Sequence, residues 1–113
     1  MIGPVEIHID SVIVGDQRFM TQYPVQNAFV LDDRLLVLYL PSSMPGKIGQ
    51  FSNLVAFDNE ANLVWTAELP TTETGDCYYR VISREPLIVN SVRSYQCTLD
   101  PDTGRLKSKV FLK

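Results

Sequence analysis

The chain is expected to fold as an all-β protein. It should form antiparallel meanders, with two four-stranded units following an N-terminal hairpin. These would pack as a sandwich or partly open barrel, or as part of an oligomeric ring. Three observations carry the expectation. Apolar and polar residues alternate with the two-residue period of strands, turn residues punctuate the runs, and no segment keeps helical i, i+3, i+4 spacing over three turns. At 113 residues the chain suits one domain with a single core, and 45% hydrophobic content suits a folded globular protein.

Val5, Ile7 and Ile9 alternate with Glu6, His8 and Asp10, as in a half-buried strand. Val12 and Val14 fall on the opposite parity, so a bend, bulge or turn is expected near Ser11. Gly15-Asp16 suits a tight hairpin turn before the strand carrying Phe19 and Thr21. After Pro24, "NAFVL" and "RLLVLYL" flank the polar pair Asp32-Asp33, and the second run is apolar enough to be covered on both faces. From Pro41 to Asn53 the pattern breaks into a long loop rich in Pro, Gly and Ser, a place to look for function. "NLVAF" and "NLVWTAEL" follow, then the loop "PTTETGD", and then "CYYRVI", "PLIVNSV", "YQCTL" and "RLKSKVFL". In the last of these, Leu106, Ser108, Val110 and Leu112 share one parity. Arg105, Lys107, Lys109 and Lys113 share the other, where lysines would guard an open edge.

The chain repeats itself. "NAFVLDDRLLVL" overlies "YYRVISREPLIV" at a displacement of 51 residues, while "FDNEAN" overlies "LDPDTG" at 42. The nine-residue difference is an insertion in the first copy, within 41–53. The expected organisation is therefore a hairpin over 1–24, a first repeat over 25–70 and a second over 71–113. "PLIVNSVRSYQCTLDPDTGRLKSKV" resembles one blade of a quinoprotein-like β-propeller: an apolar strand, a turn, a strand ending in Asp100, and a Thr103-Gly104 turn into the last strand. The family's tryptophan, three residues past the glycine, is Lys107 in this copy, while Trp65 holds that place in the first copy, after Asn62. The resemblance implies blade-like units. A closed propeller takes about four to eight blades, more than this chain holds, so either several chains close a ring or the meanders pack on each other.

Composition narrows the function classes. A net charge of −3 without a basic run argues against nucleic acid, and the longest apolar run is far too short to cross a membrane. The N-terminus has no basic region leading into an apolar one, so a cytoplasmic protein is expected. Cys77 and Cys97 fit no metal spacing and read as buried, reduced thiols, with a disulfide as the lesser alternative.

Catalytic and metal readings are weaker than structural ones. "DPDTG" has the first aspartates of a calcium loop but not its remaining ligands, and Asp, Pro and Gly at those positions suit a hairpin turn. Asn62 can take the left-handed conformation in the other copy. His8 has no nucleophile or carboxylate beside it, and Cys77 has no basic neighbour to activate it. Asp58, Glu60, Asp100 and Asp102 lie on equivalent turns, which accounts for them without hydrolytic chemistry.

The expected function is accordingly non-catalytic, without cofactor or metal. It is a protein-binding or assembly module that presents the 41–53 loop to a protein partner, a second copy of the chain included. Tyr39, Met44, Lys47, Phe51 and Trp65 are its candidate contact residues. The alternative is a small-ligand or carbohydrate-binding domain in which Trp65 or the tyrosines provide a stacking surface. An exposed aromatic patch would favour the first, and a concave pocket with carboxylates the second.

Overall fold

A computed structural model describes residues 1–43 and 49–112. It contains eleven strands in three antiparallel sheets, each a meander in chain order. The first sheet is β1 (Val5–Ile7), β2 (Ser11–Val14) and β3 (Gln17–Met20). The second is β4 (Val25–Leu31), β5 (Arg34–Tyr39), β6 (Leu54–Phe57) and β7 (Leu63–Thr66). The third is β8 (Tyr78–Ser83), β9 (Leu87–Ser91), β10 (Tyr95–Leu99) and β11 (Leu106–Phe111). Both repeats are thus four-stranded meanders, and among the described residues no barrel closes. The N-terminal segment has one strand more than a hairpin. The parity change at Ser11 is a turn, after which Val12 pairs with Ile7, while Ile9 projects from the turn into solvent. Gly15, at φ 62°, opens the two-residue turn that sets Val14 opposite Gln17.

The middle sheet is covered on both faces. Leu36, Leu38, Leu54, Ala56 and Trp65 point towards the third sheet, against Tyr78, Leu87, Val89, Cys97 and Leu99. Leu35, Val37, Tyr39 and Val55 point the other way, against Val12, Val14 and Phe19 of the first sheet. Leu35 to Leu38 are all 0% exposed, as the unbroken apolar run of β5 requires. Alternate residues of one strand therefore serve two cores, which locks its register: a one-residue slip would exchange both sets.

Three details correct the sequence reading. Strand pairing sets Leu36 opposite Ala56 and Leu87 opposite Leu99, so the second displacement is 43 and the first copy carries eight extra residues, not nine. The two acidic turns are not one turn used twice. Asp58 N bonds to Asn62 O across three residues with Ala61 left-handed at φ 64°, whereas Asp100 N bonds to Arg105 O across four with Gly104 at φ 73°. The left-handed residue is Ala61, one position before Asn62. Finally, β11 does not alternate along its whole length. Leu99 pairs with Leu106 but Thr98 with Ser108, so Lys107 is bulged out and the parity flips after Leu106. Lys109 consequently turns towards the core side, its Nζ 5.0 Å from the Tyr95 ring centre and 2.7 Å from Pro70 O. It holds a loop in place instead of guarding an edge.

Candidate functional site

The first sheet covers its neighbour only in part. β1 lies against β4, and Phe19 of β3 meets Phe57 of β6 with ring centres 6.1 Å apart. On this face, no described residue covers β7 beyond β6, and Leu63 is 58% exposed. A cleft of about 360 Å³ opens there, between the end of β3 and the outer half of the middle sheet. Met20, Tyr23, Tyr39, Phe51, Phe57 and Leu63 line most of it.

Each wall has a local cause. Tyr23 lies just before Pro24 in the short link between β3 and β4, and its ring folds back over the sheet. The Tyr23 ring meets Tyr39 and Phe51 edge-on: its centre lies 5.3 Å from that of Tyr39 and 5.0 Å from that of Phe51, with planes 82° and 84° apart. Tyr39 closes β5, and its hydroxyl accepts a bond from Gln22 N at 3.4 Å. Burial pushes this phenol above its ordinary range, so it stays neutral at physiological pH. Phe51 is held from the loop: its N–H donates to Asp76 O at 3.0 Å, and Gly75 N donates to Gly49 O at 2.7 Å.

Asn53 fixes the base of the same loop. Fully buried, it donates through Nδ2 to Tyr39 O at 2.9 Å and Tyr78 O at 2.6 Å, and its Oδ1 accepts from Tyr78 N at 2.8 Å. One amide thus joins the ends of β5 and β6 to the start of β8, in another sheet. Asp76, 0% exposed, accepts from the Thr71 hydroxyl at 2.7 Å through Oδ2. The far end of the 41–53 segment is therefore part of the core and not a free arm.

Of the residues expected to contact a partner, Tyr39 and Phe51 meet at this cleft. Both are nearly buried, at 4% and 6% exposed, and show only an edge to it. Trp65 does not join them. It lies on the opposite face of the middle sheet, 7% exposed, with its Nε1–H donating to Pro101 O at 2.9 Å. Met44 and Lys47 lie outside the described residues. The expected exposed patch of three aromatics is thus two lining residues and one core residue. Sequence reading missed Met20, Tyr23, Phe57 and Leu63, which come from three strands and the link before β4. Only Tyr23, an aromatic wedged before a proline in a short link, carried a local signal.

The other candidates resolve as structure. Asp58 Oδ1 accepts from the N–H groups of Glu60 and Asn62, each at 2.9 Å, and these bonds hold its carboxyl below its ordinary range. Asp100 Oδ1 accepts from Asp102 N at 2.9 Å. His8 is exposed in the turn after β1. Cys77 and Cys97 are free, buried and in different core clusters, and burial pushes both thiols up. Among the described residues no three His, Cys, Asp or Glu side chains gather to hold a metal, and no helix is long and apolar enough to cross a membrane.

Among the described residues, the lining of the cleft holds no carboxylate, imidazole, thiol or cation. Chemically it can bury apolar groups and hydrogen-bond to phenol, amide and hydroxyl groups. Among known proteins, the family described as "Domain of unknown function (DUF7957)" matches residues 4–111. No curated protein and no solved structure matches the chain.

Proposed function

We propose that this chain, which belongs to the DUF7957 family, is a non-catalytic protein-binding module that receives an apolar segment of a partner in the cleft beside β7. One observation carries the reading. Met20 and Leu63, at 61% and 58% exposed, stand at the rim of an aromatic cleft whose lining, among the described residues, has no ionised group. Exposed apolar side chains around a preformed aromatic floor are the composition of an interface core. The same reading takes the two four-stranded meanders as blade-like scaffold units. Its support is their face-to-face stacking and the seat of Trp65 of one against the β10–β11 turn of the next.

A photo-crosslinking residue in place of Leu63, in the full chain expressed in its own host, tests the proposal. A defined protein adduct that Met20→Glu abolishes is the expected result. No adduct, or an adduct indifferent to Met20→Glu, would overturn it. The cleft volume favours a second reading, a small amphipathic ligand, because about 360 Å³ lies within the range of roughly 300–1,000 Å³ for small-molecule sites. Native mass spectrometry that finds a small molecule bound to wild type and absent from Leu63→Glu would decide for that reading.

A further inference from the structure

The stack of three sheets uses both faces of the middle one but only one face of each outer one, and the two unused faces differ in chemistry. On the first sheet Val12, Val14 and Phe19 point inwards, so the cross-strand row Glu6, Ile13, Arg18 points out. On the third sheet Val89, Cys97 and Leu99 point inwards. The rows Arg80, Asn90, Gln96, Val110 and Ser83, Ile88, Thr98, Ser108 point out. Arg80 is the one charged residue in those two rows. Within them Val110 is 60% exposed, and beside them Ile82 is 43% exposed. A sheet face turned permanently to water normally carries interspersed charge, whereas terminal units in stacked architectures carry a polar cap. This face is nearly uncharged and partly aliphatic.

We infer that the outward face of the third sheet receives the outward face of the first sheet of a second copy, so that two chains close on each other head to tail. Charge complementarity and continuity of the stack point to this occupant. Arg80 lies on β8 and Glu6 on β1, each on the first strand of its sheet, so stacking in the order used within the chain sets them opposite each other. Arg18, in the same row as Glu6, then falls over the Asn90–Gln96 part of the partner row. Ile13 meets the aliphatic part. Two chains supply six sheets, within the roughly four to eight that close a ring. Both copies then use the same pair of faces, and no open face remains to propagate a filament. The inference stands apart from the cleft beside β7.

Sedimentation equilibrium of the full chain at micromolar concentration, with circular dichroism to confirm folding, tests it. Wild type is expected to be a dimer. Arg80→Glu and Glu6→Arg each set like charges together at both contacts, and each should weaken dimerisation by more than about tenfold. Mixed in equal amounts, the two variants should dimerise again, because each mixed dimer has one native and one reversed Arg80–Glu6 contact. Leu63→Glu should leave the dimer intact, which separates this inference from the cleft. A monomeric wild type, a dimer insensitive to both substitutions, or a mixture that stays monomeric would each overturn it.

Discussion

Trp65 and Gly104, from different sheets, touch so closely that a β-carbon on Gly104 would lie 2.4 Å from Trp65 Cε3 and 2.6 Å from Cδ2. Gly104 is also left-handed at φ 73°, so the glycine is required twice, once by the turn and once by the indole. Gly104→Ala is expected to destabilise the protein by at least about 2 kcal/mol, since strain and overpacking add. Urea denaturation measures it. Trp65→Phe removes the donor to Pro101 O and leaves a void where the larger indole was packed, for a loss of at least about 1–3 kcal/mol.

Asn53 should be among the most sensitive polar positions. Asn53→Ala removes three buried hydrogen bonds and orphans two carbonyls and one N–H, an expected cost of about 3 kcal/mol or more. Asn53→Asp should cost more than Asn53→Ala. It replaces the shared donor with an acceptor facing the carbonyls of Tyr39 and Tyr78, and it places a charge where nothing is exposed. Thermal unfolding of both variants checks the order.

Asp58 gives a pH dependence with a definite sign. Its folded carboxyl is held low by the N–H groups of Asn62 and Glu60, so the unfolded chain binds the proton more readily. The stabilisation is present above the unfolded carboxylate value and is lost as pH falls through the folded one. Asp58→Asn keeps an acceptor oxygen but cannot titrate. The stability gap between wild type and Asp58→Asn should be steady near neutral pH and narrow as acid is added below the usual carboxylate range.

The buried thiols predict the opposite limb. Burial raises Cys77 and Cys97 above the ordinary value of 9.0, and Tyr78 moves the same way for the same reason. A group raised in the fold favours the fold below its unfolded pKa and ceases to do so as pH climbs through the folded value. Stability should therefore fall as pH rises beyond about 9. At neutral pH neither cysteine should react with a thiol reagent faster than the chain opens. Labelling rates that follow denaturant as global unfolding does would bear this out, and rapid labelling of native protein would contradict it.

Much of this architecture was legible as sequence because its causes are local. Alternation at period two marked the strands of both repeats, and the unbroken run from Leu35 to Tyr39 announced a strand covered on both faces. The Asp-started turns were readable because a carboxylate that accepts nearby N–H groups needs only its own neighbours. What the sequence could not decide depends on contacts between sheets. Trp65 and Tyr39 sit on opposite faces of one sheet because the strand register sets Trp65 beside Ala56 and Leu36, whereas Tyr39 shares the parity of Val37. The bulge at Lys107 brings Lys109 inwards, and no alternation rule reveals a residue that steps out of the ladder. The surplus of the 41–53 loop was visible, but its anchoring through Phe51 and Asn53 to residues near Asp76 and Tyr78 was not. The cleft beside β7 exists because three strands cover a face four strands wide. That mismatch appears only when separate runs of chain are stacked, since burial is a property of surfaces that meet and each strand on its own specifies only which residues will seek one.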